Sequence, residues 1–134
     1  MTDNEKYRQT LSKNERLSLK KQIDEVKRDG VVFFKYPIRT LYTIKSYEAE
    51  AEPGNNQILV YAPKSLYKNA VDRNLIKRRI RESYRKHKNI LSPCGAKIYM
   101  TYIGKTIEKY GVIEESVIAL LSSIAEQDIL HHNK

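Results

Sequence analysis

The chain has 134 residues and a formal net charge of +9 at pH 7, with 25 Lys and Arg against 16 Asp and Glu. Its length predicts one domain over residues 1–134, and the 40% hydrophobic content favours a folded chain over a disordered one. No apolar run approaches the roughly 20 residues of a membrane helix, and the start of the chain lacks the apolar stretch of a secretory signal. With a single cysteine, these features predict a cytoplasmic protein that is neither membrane-spanning nor disulfide-rich.

Helical and strand periodicities alternate with turn residues along the first half of the chain. They predict four elements, namely a helix from Ser12 to about Arg28 and strands over 31–36, 38–48 and 57–62. The helix is predicted to begin at a capping box, Ser12-Lys-Asn-Glu15, and Pro37 predicts a bend between the first two strands. Turn residues between 50 and 56 predict that the last two strands form an antiparallel hairpin.

The second half of the chain predicts three elements, a basic helix over 69–90, a strand over 96–103 and a final amphipathic helix over 114–130. The resulting order is αβββαβα. It predicts an α/β (α+β) two-layer sandwich with a small mixed sheet of about four strands. We expect residues 1–10 and 131–134 to be disordered tails.

The basic helix carries most of the charge of the chain. Residues 71–88 contain eight Lys or Arg and two acidic residues, so this element alone carries +6. On a helix, Ile76, Ile80 and Tyr84 form an apolar stripe that faces a core. The cations recur at the same spacing on another side, at Arg73, Lys77, Arg78, Arg81 and Arg85. A merely solvated face would interleave acids four residues away, so this pattern favours a surface that binds nucleic acid.

The sequence shows no convincing catalytic or metal site. One cysteine cannot supply a Cys/His zinc site, and there is no Gly-rich phosphate loop. The acids at 48–52 flank a turn and those at 114–115 open a helix, whereas a nuclease would converge its acids on Mg²⁺. The pair His131 and His132 is expected in the tail. Residue chemistry therefore indicates binding rather than catalysis.

The run from Lys64 to Arg85, KSLYKNAVDRNLIKRRIRESYR, resembles the signature of the bacterial ribonuclease P protein subunit. In that family a Lys-containing turn precedes a helix that opens with Arg-Asn-Arg, continues with hydrophobic-Lys-Arg and has another Arg one turn later. The positions that match are Arg73, Asn74, Lys77, Arg78 and Arg81. Leu75 stands where the family has its second Arg, and Arg79 is a candidate to offset that difference.

The resemblance implies a function in tRNA processing. In ribonuclease P the RNA subunit removes the 5′ leader of precursor tRNA, with Mg²⁺ ions held mainly by RNA. The protein subunit would bind the leader and stabilise the active RNA, without catalytic residues, cofactor or metal of its own. It would be inactive alone and monomeric when free. The resemblance also implies a left-handed crossover between parallel strands, which is the rare hand.

The resemblance assigns roles to two groups of residues. Contacts to the catalytic RNA are expected from Lys64, Lys68, Arg73, Asn74, Lys77, Arg78, Arg81 and Arg85. Stacking on the leader is expected from Tyr42, with Phe33 or Phe34 and Tyr61 as neighbours. The alternative for these residues is ordinary packing in the core of the sheet. The family often has a Phe in the last turn of the first helix, where this chain has Val26 and Lys27.

Other functions share parts of this pattern. A structural RNA-binding protein of ribosomal type would share the basic helix without any role in tRNA processing. A DNA-binding regulator could place residues 71–88 in a major groove, although no heptad repeat follows them as a leucine zipper requires. A protein-only nuclease would need converging acids, which the sequence does not offer.

Overall fold

A computed structural model of the chain describes residues 13–44 and 55–132. Short 3₁₀ turns lie at Lys13–Glu15 and Lys88–Ile90. The helices and strands are α1 (Lys20–Asp29), β1 (Val31–Lys35), β2 (Ile38–Thr43), β3 (Gln57–Tyr61), α2 (Ala70–His87), β4 (Lys97–Tyr102) and α3 (Tyr110–His132). Their order and the mixed four-stranded sheet confirm the predicted α/β class.

The strands lie in the order β1-β2-β4-β3. The pairs β1/β2 and β2/β4 are antiparallel, whereas β3 and β4 are parallel. The predicted antiparallel hairpin between β2 and β3 is therefore wrong, because β4 lies between these two strands. Parallel neighbours need a long crossover, and α2 supplies it between β3 and β4. The predicted turn at 50–56 lies mostly outside the described residues, and the hand of the crossover stays a prediction.

Side chains that alternate along the strands divide the sheet into two faces. On the core face, Tyr42 is opposite Ile98, which is in turn opposite Ile58. Helices α2 and α3 pack on this face and bury apolar side chains such as Ile80 and Leu121 completely. The main core therefore fills the space between the sheet and these two helices.

The short helix α1 lies on the opposite face of the sheet. Its Lys27 ammonium is 5.3 Å from the ring centroid of Tyr99, which alternates with the core residues of β4. Val26 of α1 is fully buried. Among the described residues, the ten-residue α1 covers only part of this second face; we call that face the open face.

The first helix begins at Lys20, not at the capping box that the sequence suggested. The segment before it is extended, because Arg16 forms a parallel bridge with Ile58 and the Leu17 N–H donates to the Ile58 carbonyl at 2.9 Å. Leu17 is 1% exposed, so burial of this side chain competes with helix formation. Ser12 lies outside the described residues.

The other predicted elements agree with the structure apart from their ends. Pro37 forms the bend between β1 and β2, and the Tyr36–Pro37 peptide bond is cis. Helix α2 buries Ile76, Ile80 and Tyr84 as predicted. Helix α3 starts at Tyr110 and runs through His132, so the first two residues of the predicted tail at 131–134 are helical. In the ranges 13–44 and 55–132, no helix has the length and apolar character needed to cross a bilayer.

Gly30 joins α1 to β1 at a point where a side chain has no space. A Cβ at this position would lie 2.4 Å from the Val26 carbonyl oxygen. We expect Gly30→Ala to lower the free energy of unfolding by about 1–3 kcal/mol, because the backbone must shift. Urea denaturation measures the loss. The control Gly111→Ala, which meets nothing within 4 Å, should raise stability by up to about 1 kcal/mol; equal losses in both variants would contradict this account.

Asn56 ties the start of β3 to the loop that enters β4. Its Oδ1 accepts hydrogen bonds from the N–H groups of Cys94 at 3.0 Å and Ala96 at 3.1 Å, and its Nδ2 donates to the Ser92 carbonyl at 3.2 Å. Asn56→Ala leaves two partly buried donors unsatisfied, so thermal unfolding should show a loss of about 1–3 kcal/mol. The exposed Asn89→Ala should change stability by less than about 0.5 kcal/mol. No difference between the two variants would show that these bonds are unimportant.

Candidate nucleic-acid interface

The solvent side of α2 presents a group of cations. Arg78 and Arg81 are exposed, Lys77 is half-buried beside them, and Asn74 is exposed between them and the start of the helix. Among the residues that the structure describes, no carboxylate forms an ion pair with any of these three cations. The middle of α2 therefore keeps a positive potential that favours polyanions.

Two of the predicted RNA-binding arginines have partners within the protein. Arg73 donates from Nη1 to the carbonyls of Tyr67 and Lys68, each at 2.8 Å. Arg85 forms a two-bond ion pair with Glu82, and this hydrogen bonding lowers the pKa of the Glu82 carboxyl. Arg73 thus holds the loop before α2, and the charge of Arg85 is partly neutralised.

The loop before α2 adds exposed cations at the start of the helix. Lys64 and Lys68 are both exposed there. Asn69 caps the helix by accepting a hydrogen bond from the Val71 N–H at 2.8 Å. Asn74 therefore does not cap the helix, and its exposed amide is available to a ligand. The N-terminal end of a helix also favours anions, which adds to the positive potential of the two lysines.

Arg79 does not offset the leucine at position 75. Its Nη1 donates to the Glu108 carbonyl at 2.7 Å, so the side chain is turned toward the loop before α3. Lys86 is turned the same way, with its ammonium 5.4 Å from the Tyr110 ring. This flank of α2 packs against the start of α3, and the cations available to a ligand lie on its other sides.

Tyr42, the residue expected to stack on the leader, lies in the core. Tyr42 lies on the core face of β2 with 3% of its surface exposed, and burial raises the pKa of its hydroxyl. Phe33 is only partly buried, but it packs against the same core. Neither ring offers an open face to a base. Residue type alone did not distinguish a stacking residue from a core residue at these positions.

The open face presents a different set of side chains in one line across the four strands. Phe34 of β1 is opposite Arg39 of β2, Arg39 is opposite Thr101 of β4, and Thr101 is opposite Tyr61 of β3. We call these four residues the cross-strand row. Phe34 is 55% and Tyr61 45% exposed. Tyr61 was predicted as a leader contact, whereas Arg39 and Thr101 were missed.

The dimensions of the cross-strand row suit an extended single strand. Phe34 and Tyr61 are three strand intervals apart, which is about 14 Å. The exposed Arg39 lies between them. Aromatic rings that accept bases, together with a cation that accepts phosphate, form the usual platform for single-stranded nucleic acid. The geometry can therefore bind such a strand without reading its sequence.

Comparison with known proteins gives a family match over most of the chain. The family model described as Ribonuclease P matches residues 11–123. The ribonuclease P protein components of two Porphyromonas gingivalis strains are each 39% identical over 82 residues, which is 61% of this chain and 58% of the relative. The chain thus spans less than two thirds of the length of these curated relatives.

Solved structures share the fold at low sequence identity. The Staphylococcus aureus RNase P protein has a TM-score of 0.64 and 21% identity, over 85% of this chain and 97% of that chain. The Thermotoga maritima RNase P protein has a TM-score of 0.65 and 19% identity, over 81% and 96%. The family match includes α1, all four strands and the whole of α2. The chain therefore belongs to the ribonuclease P protein family.

Proposed function

We propose that this chain is the protein subunit of ribonuclease P and assists a catalytic RNA in removing the 5′ leader of precursor tRNA by endonucleolytic cleavage. The observation that carries the proposal is the family match over residues 11–123. In this proposal the protein is cytoplasmic, is monomeric when free and has no catalytic side chain. The RNA performs the cleavage, with Mg²⁺ ions held mainly by the RNA.

The solvent side of α2 is the proposed contact to the catalytic RNA. Support comes from Lys77, Arg78 and Arg81, which have no acidic partner among the described residues, and from the exposed Lys64 and Lys68. If about five phosphates are neutralised, the logarithm of the association constant should fall with the logarithm of salt with a slope of roughly −3 to −5. These contacts position the RNA backbone and carry no sequence information.

The cross-strand row is the proposed contact to the leader. Leaders differ in sequence, and stacking on Tyr61 and Phe34 accepts any base because every base has a π face. The exposed Arg39 would bind a phosphate between the two stacked bases. Tyr61 ends β3 and is followed by the loop that carries Lys64 and Lys68. This loop connects the leader surface with the surface that binds the catalytic RNA.

Reconstitution separates this proposal from a structural RNA-binding role. Purified protein, the ribonuclease P RNA of the same source and a precursor tRNA should give leader cleavage at low Mg²⁺ only when protein and RNA are both present. Tight binding to another RNA without any stimulation would favour the ribosomal-type alternative. Cleavage by the protein alone would overturn the assignment of catalysis to RNA.

Charge reversal in the middle of α2 tests the contact to the catalytic RNA. The double variant Arg78→Glu and Arg81→Glu should fold normally and lose assembly at 0.15 M salt, about physiological ionic strength, because repulsion replaces phosphate contacts. Circular dichroism and filter binding measure the two properties. The control Arg28→Glu and Lys109→Glu makes the same change in net charge at exposed positions outside α2. Normal assembly of the α2 variant would refute this surface.

Removal of one ring tests the leader contact. Tyr61→Ala should weaken binding of precursor tRNA with a long leader by about 1–3 kcal/mol, the usual value of one stacked base. Tyr61→Phe keeps the ring and should bind normally. Binding of mature tRNA should be the same for all three proteins. If Tyr61→Ala loses as much affinity for mature tRNA as for the precursor, the open face does not bind the leader.

A further inference from the structure

The segment before α1 brings a second arginine to the side of α2. Arg16 forms a parallel bridge with Ile58, and the Leu17 N–H donates to the Ile58 carbonyl at 2.9 Å. This contact holds residues 16–18 along the outer edge of β3, next to α2. A cavity of about 240 Å³ opens there, lined by Arg16, Ser18, Arg81 and the three β3 residues Ile58–Val60, among others.

The positively charged side chains of Arg16 and Arg81 both line this cavity. Burial lowers the pKa of the Arg81 guanidinium, and the positive charge of Arg16 lowers it further. Glu15, which precedes Arg16, pairs with Lys88 at 2.9 Å, and Glu82, which follows Arg81, pairs with Arg85. Among the described residues, no carboxylate forms an ion pair with Arg16 or Arg81. Like charges held together in this way are destabilising until an anion lies between them.

We infer that Arg16 and Arg81 form a clamp for one backbone phosphate of the bound RNA at the outer edge of β3. This inference rests on the proposed function, because it takes RNA as the ligand. A phosphodiester group offers oxygens to both guanidiniums, and arginine binds phosphate in a bidentate fashion. The hydroxyl of the exposed Ser18, which also lines the cavity, can add a donor.

The clamp extends the RNA surface beyond α2. Arg81 belongs to the basic helix, whereas Arg16 comes from a segment outside the motif of residues 64–85. The RNA backbone would therefore leave the helix on the side of β3 and contact the N-terminal segment. Because both arginines hold the same phosphate, their contributions to binding are coupled, and the coupling is measurable.

A double-mutant cycle tests whether the phosphate is shared. The variants are Arg16→Gln, Arg81→Gln and the two together, with affinity for the ribonuclease P RNA of the same source measured against salt. Each single change should weaken RNA binding and reduce the magnitude of the salt slope by about one. The double variant should have little less RNA affinity than the single variant that binds more weakly. If the fold losses in RNA affinity of the two single variants multiply in the double variant, and the magnitude of its salt slope falls by about two, each arginine binds its own phosphate. That result would overturn the clamp.

A second measurement on the protein without RNA separates binding from a structural role. Removal of one of two repelling charges should leave the Tm of Arg16→Gln unchanged or raise it, whereas loss of a structural contact would lower it. Inorganic pyrophosphate should raise the Tm of the wild type and have much less effect on the double variant, because a ligand stabilises only the folded state that binds it. A lower Tm for Arg16→Gln, or an equal effect of pyrophosphate on both proteins, would overturn the clamp.

Arg28→Gln is the matched control for net charge. Arg28 is exposed and forms an ion pair with Asp29 at 3.0 Å, away from the cavity. This variant should bind RNA and pyrophosphate as the wild type does. If its RNA affinity falls as far as that of Arg16→Gln, the effect is one of total charge and the clamp is refuted.

The outcomes distinguish the clamp from the proposed function. Coupled losses with RNA and pyrophosphate, in a protein that does not stimulate leader cleavage, would support the clamp and refute the proposed function. Stimulation of cleavage that depends on Arg78 but is unaffected by Arg16→Gln would support the function and refute the clamp.

Discussion

The parallel pairing of β3 with β4 is the constraint on which the other surfaces depend. Strand β4 pairs along both sides, and its Ile98, Met100 and Tyr102 are completely buried. The chain can bring β4 beside β3 in the parallel sense only through a crossover, which places α2 over the sheet. Once the apolar stripe of α2 is buried against the sheet and α3, the cations in the middle of its opposite side, such as Arg78 and Arg81, face solvent. The same strand arrangement aligns the cross-strand row on the other face.

Polar contacts within the protein concentrate toward the end of α2. There Arg85 pairs with Glu82, His87 is hydrogen-bonded to Glu114 of α3 at 2.8 Å, and Lys88 just beyond the helix pairs with Glu15. The middle of the helix has no such partners among the described residues. Concentrated like charge opposes compact folding, and the paired end and the apolar stripe offset that cost. The uncompensated charge lies where a polyanion would supply its partner, which is the arrangement expected of a binding surface.

Departures from the family pattern have physical counterparts in this chain. Lys27 lies in the region where the family often has a Phe, and its ammonium lies over the Tyr99 ring. A cation–π contact thus joins α1 to the open face. Leu75 is half-buried on α2, and Arg79, which is turned toward α3, does not replace the missing cation. Arg16 brings a cation to α2 from another part of the chain, on the side of β3.

Local patterns in the sequence predicted most of the elements and the chemistry of their surfaces. Periodicity located α2, its apolar stripe and its cations, because these depend on neighbours within four residues along the chain. From these local patterns, the class of fold and the basic face could be predicted, and the motif of residues 64–85 indicated the family.

Contacts between distant parts of the chain settle which of these surfaces are available. The partner of β3, the face covered by α2 and α3, and the approach of Arg16 to Arg81 all depend on contacts between residues far apart in sequence. Tyr42 illustrates the difference, because its residue type suits either stacking on a base or packing in a core. Packing against α3 placed it in the core and left Phe34, Arg39 and Tyr61 on the open face. Local periodicity carries no information about which face of a sheet another element will cover. The helices cover the face where packing buries the largest apolar surface.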